Sequence, residues 1–233
     1  MTFAIAARCT ETGRFGVAMG TLSMAVGSRC PHFAPTFGMV VSMAYTDPRL
    51  GYLGVHLLHM GYSAPRVLSE LEASDANIEH RQVCVIDHDG NAVARTGARD
   101  NRWCGAFTQK NVIAMGNNLT SEKTASAMMD TYNKLANVVF EERLLRALEA
   151  GRDAGGQNGG QLSATLTTYG TKVYAYLDLR VDLHQEPIGE LRRVFGEYKP
   201  FIPYYYDRPG DPEHYGTKQQ WKQKWLEQRG STR

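Results

Sequence analysis

The 233-residue sequence predicts an α+β protein in which two antiparallel β-sheets pack face to face between outer layers of helices. Short apolar runs separated by turn residues occur in groups, and pairs of helical segments divide these groups. A parallel sheet would instead require strands and helices to alternate one by one. The chain is long enough to bury a core, and contents of 42% hydrophobic and 21% charged residues are ordinary for a globular protein. We therefore predict a four-layer α-β-β-α sandwich.

Three strands and two helices are predicted for the first third of the chain. Gly13 and Arg14 form the turn between the first two strands. Ser63 is the predicted N-cap of the second helix, and Pro65 lies in its first turn. The strands are predicted over residues 3–9, 15–21 and 37–45, and the helices over residues 49–61 and 63–73.

The rest of the chain repeats this grouping of strands and helices. A hairpin is predicted over residues 81–97, with His88, Asp89 and Gly90 at its turn, and a further strand over residues 112–116. In the next two helical segments apolar residues recur at spacings of three and four. The remaining elements are helices near 125–135 and 140–148, a glycine-rich loop over 151–160, a hairpin over 162–183 and a last helix over 186–198.

Charge and cysteine usage exclude several classes of function. A net charge of +2 does not suit a surface that neutralises nucleic-acid phosphates. No apolar run reaches membrane-spanning length and no signal-peptide pattern occurs, so we expect a cytoplasmic protein that binds neither nucleic acid nor membrane. The four cysteines are widely spaced without a C-x-x-C pair, which favours reduced thiols over disulfides or a zinc site. We expect no metal and no cofactor.

The second residue, Thr2, is the first candidate for chemistry. A start methionine before a small residue is commonly removed, which would leave Thr2 with a free α-amino group beside its hydroxyl. The amine can then take the hydroxyl proton while the oxygen attacks a carbonyl, and an unperturbed α-amino group has a pKa of about 8, close to neutral pH. The alternative is that Met-Thr is a chain start without catalytic meaning.

Several motifs, in order along the chain, are similar to one protein family. They are MTFAIAA at the start, TGRFGVA, AVG, GYLGVHLL, GYSA, RQVCVID, GNNL, AGGQNGGQLSA and RVDLHQEPIGEL, and they span residues 1–198. This set resembles the domain of unknown function 1028 family, which is similar to N-terminal-nucleophile hydrolases.

The resemblance implies the same α-β-β-α sandwich, with the first strand at the centre and residue 2 at the end of a cleft, and it implies a hydrolase without naming a substrate. This chain departs from the polar residues of the family pattern at Met43, Asp47, Gln157 and Leu183.

The candidate catalytic residues are Thr2, Asn117 and Arg81. Asn117 follows a strand and could donate to the oxyanion of a tetrahedral intermediate, or it could form a turn together with Asn118. Arg81 could keep the Thr2 amine neutral or bind an acidic substrate, or it could pair with a structural carboxylate such as Asp47.

The candidate substrate-binding residues lie at strand ends. Arg180 has the same two interpretations as Arg81. Asp182 and His184 lie two residues apart, so on a strand they would share one face, either as a base and its orienting acid or as a structural hydrogen-bonded pair. The full substrate-binding set is Asp47, Asn118, Arg180, Asp182 and His184.

Together these features predict hydrolysis of an amide-type C–N bond in a small molecule by Thr2. The alternatives are a non-catalytic small-molecule-binding protein on the same fold and a structural subunit of an oligomer. We expect a domain over residues 1–198 and an aromatic, basic arm over residues 199–233. The prolines of the arm favour an extended path, which leads to a helix-capable segment over residues 218–229. Its aromatic residues suit binding to a second copy of the chain in a homodimer, and the alternative is that the arm wraps its own subunit.

Overall fold

The computed structural model describes residues 1–99 and 103–230, which form two antiparallel sheets and eight α-helices within this part of the chain. The strands are β1 (Thr2–Arg8), β2 (Phe15–Thr21), β3 (Pro31–Ala34), β4 (Gly38–Ala44), β5 (Arg81–Asp87), β6 (Ala92–Thr96), β7 (Trp103–Gln109), β8 (Val112–Leu119), β9 (Ser163–Tyr169) and β10 (Ala175–Val181). The helices are α1 (Pro48–His59), α2 (Ala64–Ser74), α3 (Lys123–Lys134), α4 (Phe140–Asp153), α5 (Pro187–Tyr198), α6 (Ile202–Asp207), α7 (Pro212–Tyr215) and α8 (Lys218–Gly230).

Strand β1 lies in the interior of the first sheet. That sheet has the order β10-β9-β2-β1-β8-β7, and the second sheet has the order β3-β4-β5-β6. β1 pairs antiparallel with β2 on one side and with β8 on the other, so Thr2 lies opposite both Thr21 and Asn117. The expected central position of the first strand is confirmed.

Side-chain alternation along β1 separates two layers of the core. Phe3 and Ile5 pack against the helices outside the first sheet, whereas Ala4 and Ala6 pack between the two sheets. This alternation follows from the two-residue period of a strand. It places Thr2, which has the same parity as Ala4, on the face between the sheets.

Helices cover the outer face of each sheet. The core outside the first sheet contains residues of α3, α4 and α5, and the core outside the second sheet contains residues of α1 and α2. A third apolar cluster lies between the sheets. The four-layer α-β-β-α sandwich predicted from the order of elements is therefore the observed fold. No helix in the described part of the chain is long and apolar enough to span a membrane.

Two strands and one helix end differ from the sequence-based prediction. β3 and β7 were not predicted, because β3 is only four residues long and β7 has no run of buried side chains. α4 continues through the first residues of the predicted glycine-rich loop. Gly151 permits this because a Cβ there would lie 2.7 Å from Met128 and 3.3 Å from Phe3, so the missing side chain lets α4 approach its neighbours.

The proline-containing part of the C-terminal arm is helical, so the expectation of an extended path is wrong there, whereas the helix-capable segment over residues 218–229 does form a helix, α8. Prolines in the arm lie in the first turns of short helices, where a missing N–H costs no intrahelical hydrogen bond. Ile202 and Tyr204 are 6% and 1% exposed, and Lys172 donates a 2.6 Å hydrogen bond to the carbonyl of Tyr206. The first part of the arm therefore packs on the domain of its own chain.

Candidate functional site

Thr2 lies at the end of the space between the two sheets. Its side chain is buried, and its Oγ1 lies 3.1 Å from Oγ1 of Thr21 on β2. Asn117 lies opposite Thr2 on the other neighbouring strand. Because directly opposite residues of an antiparallel pair point to the same face, the three side chains form one row across three strands.

The peptide bond between Met1 and Thr2 contacts the same hydroxyl. Thr21 Oγ1 donates a 2.6 Å hydrogen bond to the carbonyl oxygen of Met1. Ser23 donates its backbone N–H to Thr21 Oγ1 at 3.4 Å. Thr21 Oγ1 therefore contacts both the Thr2 hydroxyl and the carbonyl group of Met1. As long as Met1 is present, this carbonyl group holds the Thr2 nitrogen in an amide bond.

A cavity of about 260 Å³ opens next to Thr2, and we call it the Thr2 cavity. Its wall carries hydroxyl groups, one thiol and two arginines, and Met1 forms part of it. The lining residues are Met1, Thr2, Thr21, Ser23, Met24, Val26, Arg29, Cys30, Ala44, Tyr45, Thr46 and Arg81.

Asn117 is oriented by a buried glutamine that the sequence analysis did not single out. Gln82 is fully buried on β5 and donates Nε2 to the carbonyl oxygen of Gly116 at 2.9 Å and to Oγ1 of Thr96 at 2.9 Å. Its Oε1 accepts a 3.1 Å hydrogen bond from Asn117 Nδ2. A glutamine within the apolar run RQVCVID was the signal for this role, since buried polar side chains are normally hydrogen-bonded.

Arg81 lines the Thr2 cavity, but carboxylates surround its guanidinium group. It lies 3.0 Å from Asp75 and 3.7 Å from Asp47, and it also donates to the carbonyl of Tyr45. Asp47 also pairs with Arg49 at 2.7 Å. Hydrogen bonds from the Arg49 side chain, with a smaller effect of Arg81, hold the pKa of the Asp47 carboxyl below its usual value. The contacts of Arg81 therefore match the alternative in which it pairs with structural carboxylates.

Asn118 has a local structural role next to Asn117. Its backbone is left-handed with φ 53°, and its carbonyl oxygen accepts hydrogen bonds from the backbone N–H and the side chain of Asn158. Left-handed backbone is a conformation that asparagine tolerates better than most residues. Asn117 and Asn118 both lie within β8, so the prediction that they follow a strand and could form a turn is wrong.

None of the five predicted substrate-binding residues is among those that line the Thr2 cavity, and Asn117 is not among them either. Arg180 lies 3.8 Å from Asp178 and packs over Gly27. The carbonyl of Asp182 accepts from the N–H of Ala25, and His184 Nδ1 accepts from the N–H of Glu186. Asp182 and His184 are both exposed, and the structure shows no hydrogen bond between their described side chains.

Cys30 is the thiol of the Thr2 cavity. Its Sγ lies 3.6 Å from Thr46 Oγ1, and burial raises the pKa of the thiol above its ordinary value. Cys84 is fully buried in the core, where burial raises its pKa to about 12. A protonated thiol is a weak nucleophile, so burial lowers the reactivity of both cysteines. Among the described residues, no cluster of three or more His, Cys, Asp or Glu is placed to hold a metal ion.

Comparison with known proteins adds a family and a related structure. The model of the family of unknown function DUF1028 matches residues 2–191. The crystal structure of protein SPO2555 from Silicibacter pomeroyi, assigned to the same family model, matches with a TM-score of 0.78 and 30% identity over 85% of this chain and 89% of that chain. No curated protein has significant sequence similarity to the chain.

More distant structural matches are found with Anbu. Anbu, an ancestral β-subunit, from Yersinia bercovieri matches with a TM-score of 0.41 and 13% identity over 86% of this chain and 96% of that chain. A Gly-1 mutant of Anbu from Hyphomicrobium sp. strain MC1 matches with a TM-score of 0.44 and 12% identity over 85% of this chain and 95% of that chain.

Proposed function

The chain belongs to the DUF1028 family, and we propose that this member hydrolyses an amide-type C–N bond in a small molecule with Thr2 as the nucleophile. The observation that carries this proposal is the position of Thr2 on an interior strand, with its hydroxyl next to the Thr2 cavity and 3.1 Å from Thr21 Oγ1. Removal of Met1 would both enlarge this cavity and create the amine that the reaction needs.

In each half of the proposed reaction, the Thr2 amine accepts one proton and passes it on. Thr2 Oγ1 attacks the carbonyl carbon of the substrate while its proton passes to the Thr2 α-amino group. That amine then protonates the leaving nitrogen as the C–N bond breaks, which leaves an acyl ester on Thr2. Water hydrolyses the ester, with the amine accepting a proton from the water, and Thr2 regains its hydroxyl hydrogen.

Asn117 is the candidate donor to the developing oxyanion. A side-chain amide has two N–H donors, and the contact with Gln82 uses one of them. The second N–H, on the side-chain row shared with Thr2, is the one we assign to the oxyanion. Gln82 is then a positioning residue that fixes the orientation of this amide.

Arg81 supports the wall of the cavity in this proposal. Its charge is balanced by Asp75 and Asp47, and its contact with the Tyr45 carbonyl holds the chain segment that follows β4. We therefore assign Arg81 and Asp47 to positioning, with no direct contact to the reacting atoms.

A non-catalytic binding protein is the second candidate, and the contact between Thr21 and Met1 favours it. In the chain that retains Met1, the Thr2 nitrogen is part of an amide and cannot accept the hydroxyl proton. The same cavity could still hold a small molecule. The two candidates therefore differ in the fate of Met1 and in the reactivity of Thr2.

The experiment combines intact-mass spectrometry with covalent labelling of untagged protein. We expect loss of Met1 and stoichiometric acylation by a small acylating electrophile. Thr2→Ala should abolish the labelling and Thr2→Ser should retain it, whereas Ser69→Ala, which removes an exposed hydroxyl of α2 outside the cavity, should leave it unchanged. Full retention of Met1, or labelling that survives Thr2→Ala, would contradict the proposal.

We extend the proposal to location and assembly on the basis of composition and the arm. The protein is expected to act in the cytoplasm as a homodimer or higher homo-oligomer. Exposed Tyr205 and Leu226, at 39% and 52%, are the apolar side chains of the arm that support a second copy as partner.

A further inference from the structure

The two arginines of the Thr2 cavity differ in their electrostatic surroundings. Arg81 is compensated by two carboxylates. Arg29 is exposed at the cavity, and within residues 1–99 and 103–230 the structure shows no ion pair between it and a carboxylate. The lining contains no Asp or Glu. Arg29 therefore gives the cavity a positive charge that its own walls do not neutralise.

The charge of Arg29 acts within the cavity as well as at its surface. It lowers the pKa of Cys30, opposing part of the increase that burial causes, and the N-terminal ammonium group acts in the same direction. Arg29, Cys30 and Thr2 all line the Thr2 cavity. An anion bound by Arg29 would lie within reach of the residue that carries the nucleophile.

The size of the cavity limits the ligand to a small molecule. A volume of about 260 Å³ lies just below the range of about 300–1,000 Å³ that is typical of small-molecule sites. Val26 and Met24 provide apolar contacts, and Ser23 and Thr46 provide hydroxyl groups. A short acyl chain attached to a small polar group would match these walls.

We propose that Arg29 binds a carboxylate of the substrate, so that the Thr2 cavity selects small N-acyl amino acids. The planar guanidinium group can donate two parallel hydrogen bonds to a carboxylate, and an amide has no equivalent charge. This inference rests on the proposed function for the bond that is cleaved. Its binding component stands independently, because recognition by Arg29 needs no reaction at Thr2.

The binding test uses N-acetylglycine and its neutral isostere N-acetylglycinamide as probes. Titrations followed by NMR on protein from which Met1 is absent, carrying Thr2→Ala to prevent turnover, measure both affinities. We expect N-acetylglycine to bind at least about tenfold more tightly than the amide, a factor typical of one charge-assisted contact. Arg29→Gln should remove this preference, and Arg29→Lys should retain part of it. Arg66→Gln, which removes an exposed positive charge on α2 outside the cavity, should retain all of it.

Equal affinities for the two probes, a preference that persists in Arg29→Gln, or no saturable binding of N-acetylglycine would overturn the inference. These results are distinguishable from failure of the proposed function. A carboxylate preference that depends on Arg29, in a protein whose Thr2 is never acylated, supports the binding site and rejects the hydrolase. Acylation of Thr2 together with equal probe affinities supports the hydrolase and rejects the role of Arg29.

Discussion

Thr21 is the residue whose substitution tests most directly how Thr2 is activated. Its Oγ1 contacts both Thr2 Oγ1 and the carbonyl of Met1, so in the processed protein it lies beside the nucleophile. Thr21→Val keeps the shape of the side chain and removes the hydroxyl. We expect a roughly hundredfold to thousandfold slower acylation of Thr2, comparable to the loss of one group that acts on a reacting atom.

Mass spectrometry of the acylated protein over time measures this rate, and Thr21→Ser is the matched variant that should remain near the wild-type rate. An unchanged rate in Thr21→Val would show that this hydroxyl takes no part in activation.

Gln82 provides a second test at the residue scale, because its amide is buried and hydrogen-bonded at both ends. Gln82→Leu would leave Gly116 O and the Asn117 amide without this partner. We expect the free energy of unfolding to fall by about 1–3 kcal/mol, the cost of unpaired buried polar groups. Urea denaturation measures it, with Gln109→Leu as the exposed control on β7. Equal stability of the two variants would contradict this role.

The position of Thr2 could be predicted from the sequence, whereas the roles of Thr21 and Gln82 could not. Thr2 is a polar residue at the edge of an apolar run, and the family resemblance implies a central first strand. Thr21 becomes its neighbour only through the register of β1 and β2. Gln82 reaches Asn117 across the space between the sheets, a contact between distant segments that no local pattern encodes.

Helix α1 depends on Asp47 for both a cap and an ion pair, and these two contributions can be separated. The carboxylate accepts from the N–H of Arg49 at 3.0 Å and also pairs with the Arg49 and Arg81 side chains. Asp47→Asn keeps a capping side chain and removes the charge. Asp47→Ala removes both, and we expect an additional loss of about 1 kcal/mol from the missing cap.

The contribution of the Asp47 charge should depend on pH in a defined direction. The pKa of Asp47 is lower in the folded protein than in the unfolded chain, so the stability that the charge adds is complete above the ordinary carboxyl pKa of 3.8. This stability should be lost as the pH falls through the lower folded value. The difference in unfolding free energy between wild type and Asp47→Asn, from urea titrations, should therefore vanish in acid. A difference that stays constant down to the acid limit would contradict the charge effect.

At the scale of elements, segments whose apolar residues recur at a regular spacing were predicted correctly. Segments that are short, or that have no regular spacing of apolar residues, were not. α3 and α4 show apolar residues at helical spacing, and their faces pack on the first sheet as expected. β3 is too short to show a period. α6 and α7 of the arm were misread because prolines such as Pro203 and Pro212 suit the first turn of a helix as well as an extended chain, whereas α8 follows the helix-capable segment of the sequence.

At the scale of the whole molecule, the two parts of the arm make different contacts. Its first part completes the core of its own domain through Ile202 and Tyr204. Farther along, Trp221 Nε1 donates to the carbonyl of Pro200 at 3.0 Å, and its ring lies 6.0 Å from that of Tyr204. α8 thus packs back on the arm itself. We propose that α8, which carries the exposed side chain of Leu226, contacts a second copy of the chain.

Two truncations separate these roles of the arm. Ending the chain after Tyr198 removes Ile202 and Tyr204, so we expect a loss of about 2–5 kcal/mol of unfolding free energy, as for large deletions from a core. Ending it after Thr217 removes only α8 and should leave the sandwich folded. Because we propose α8 as the contact with a second copy, this shorter deletion should lower the molar mass measured by light scattering. The chain that ends after Thr217 still contains Ile202 and Tyr204, so a change in its oligomeric state would be due to the loss of α8. If this chain keeps the oligomeric state of the full chain, α8 is excluded from the interface.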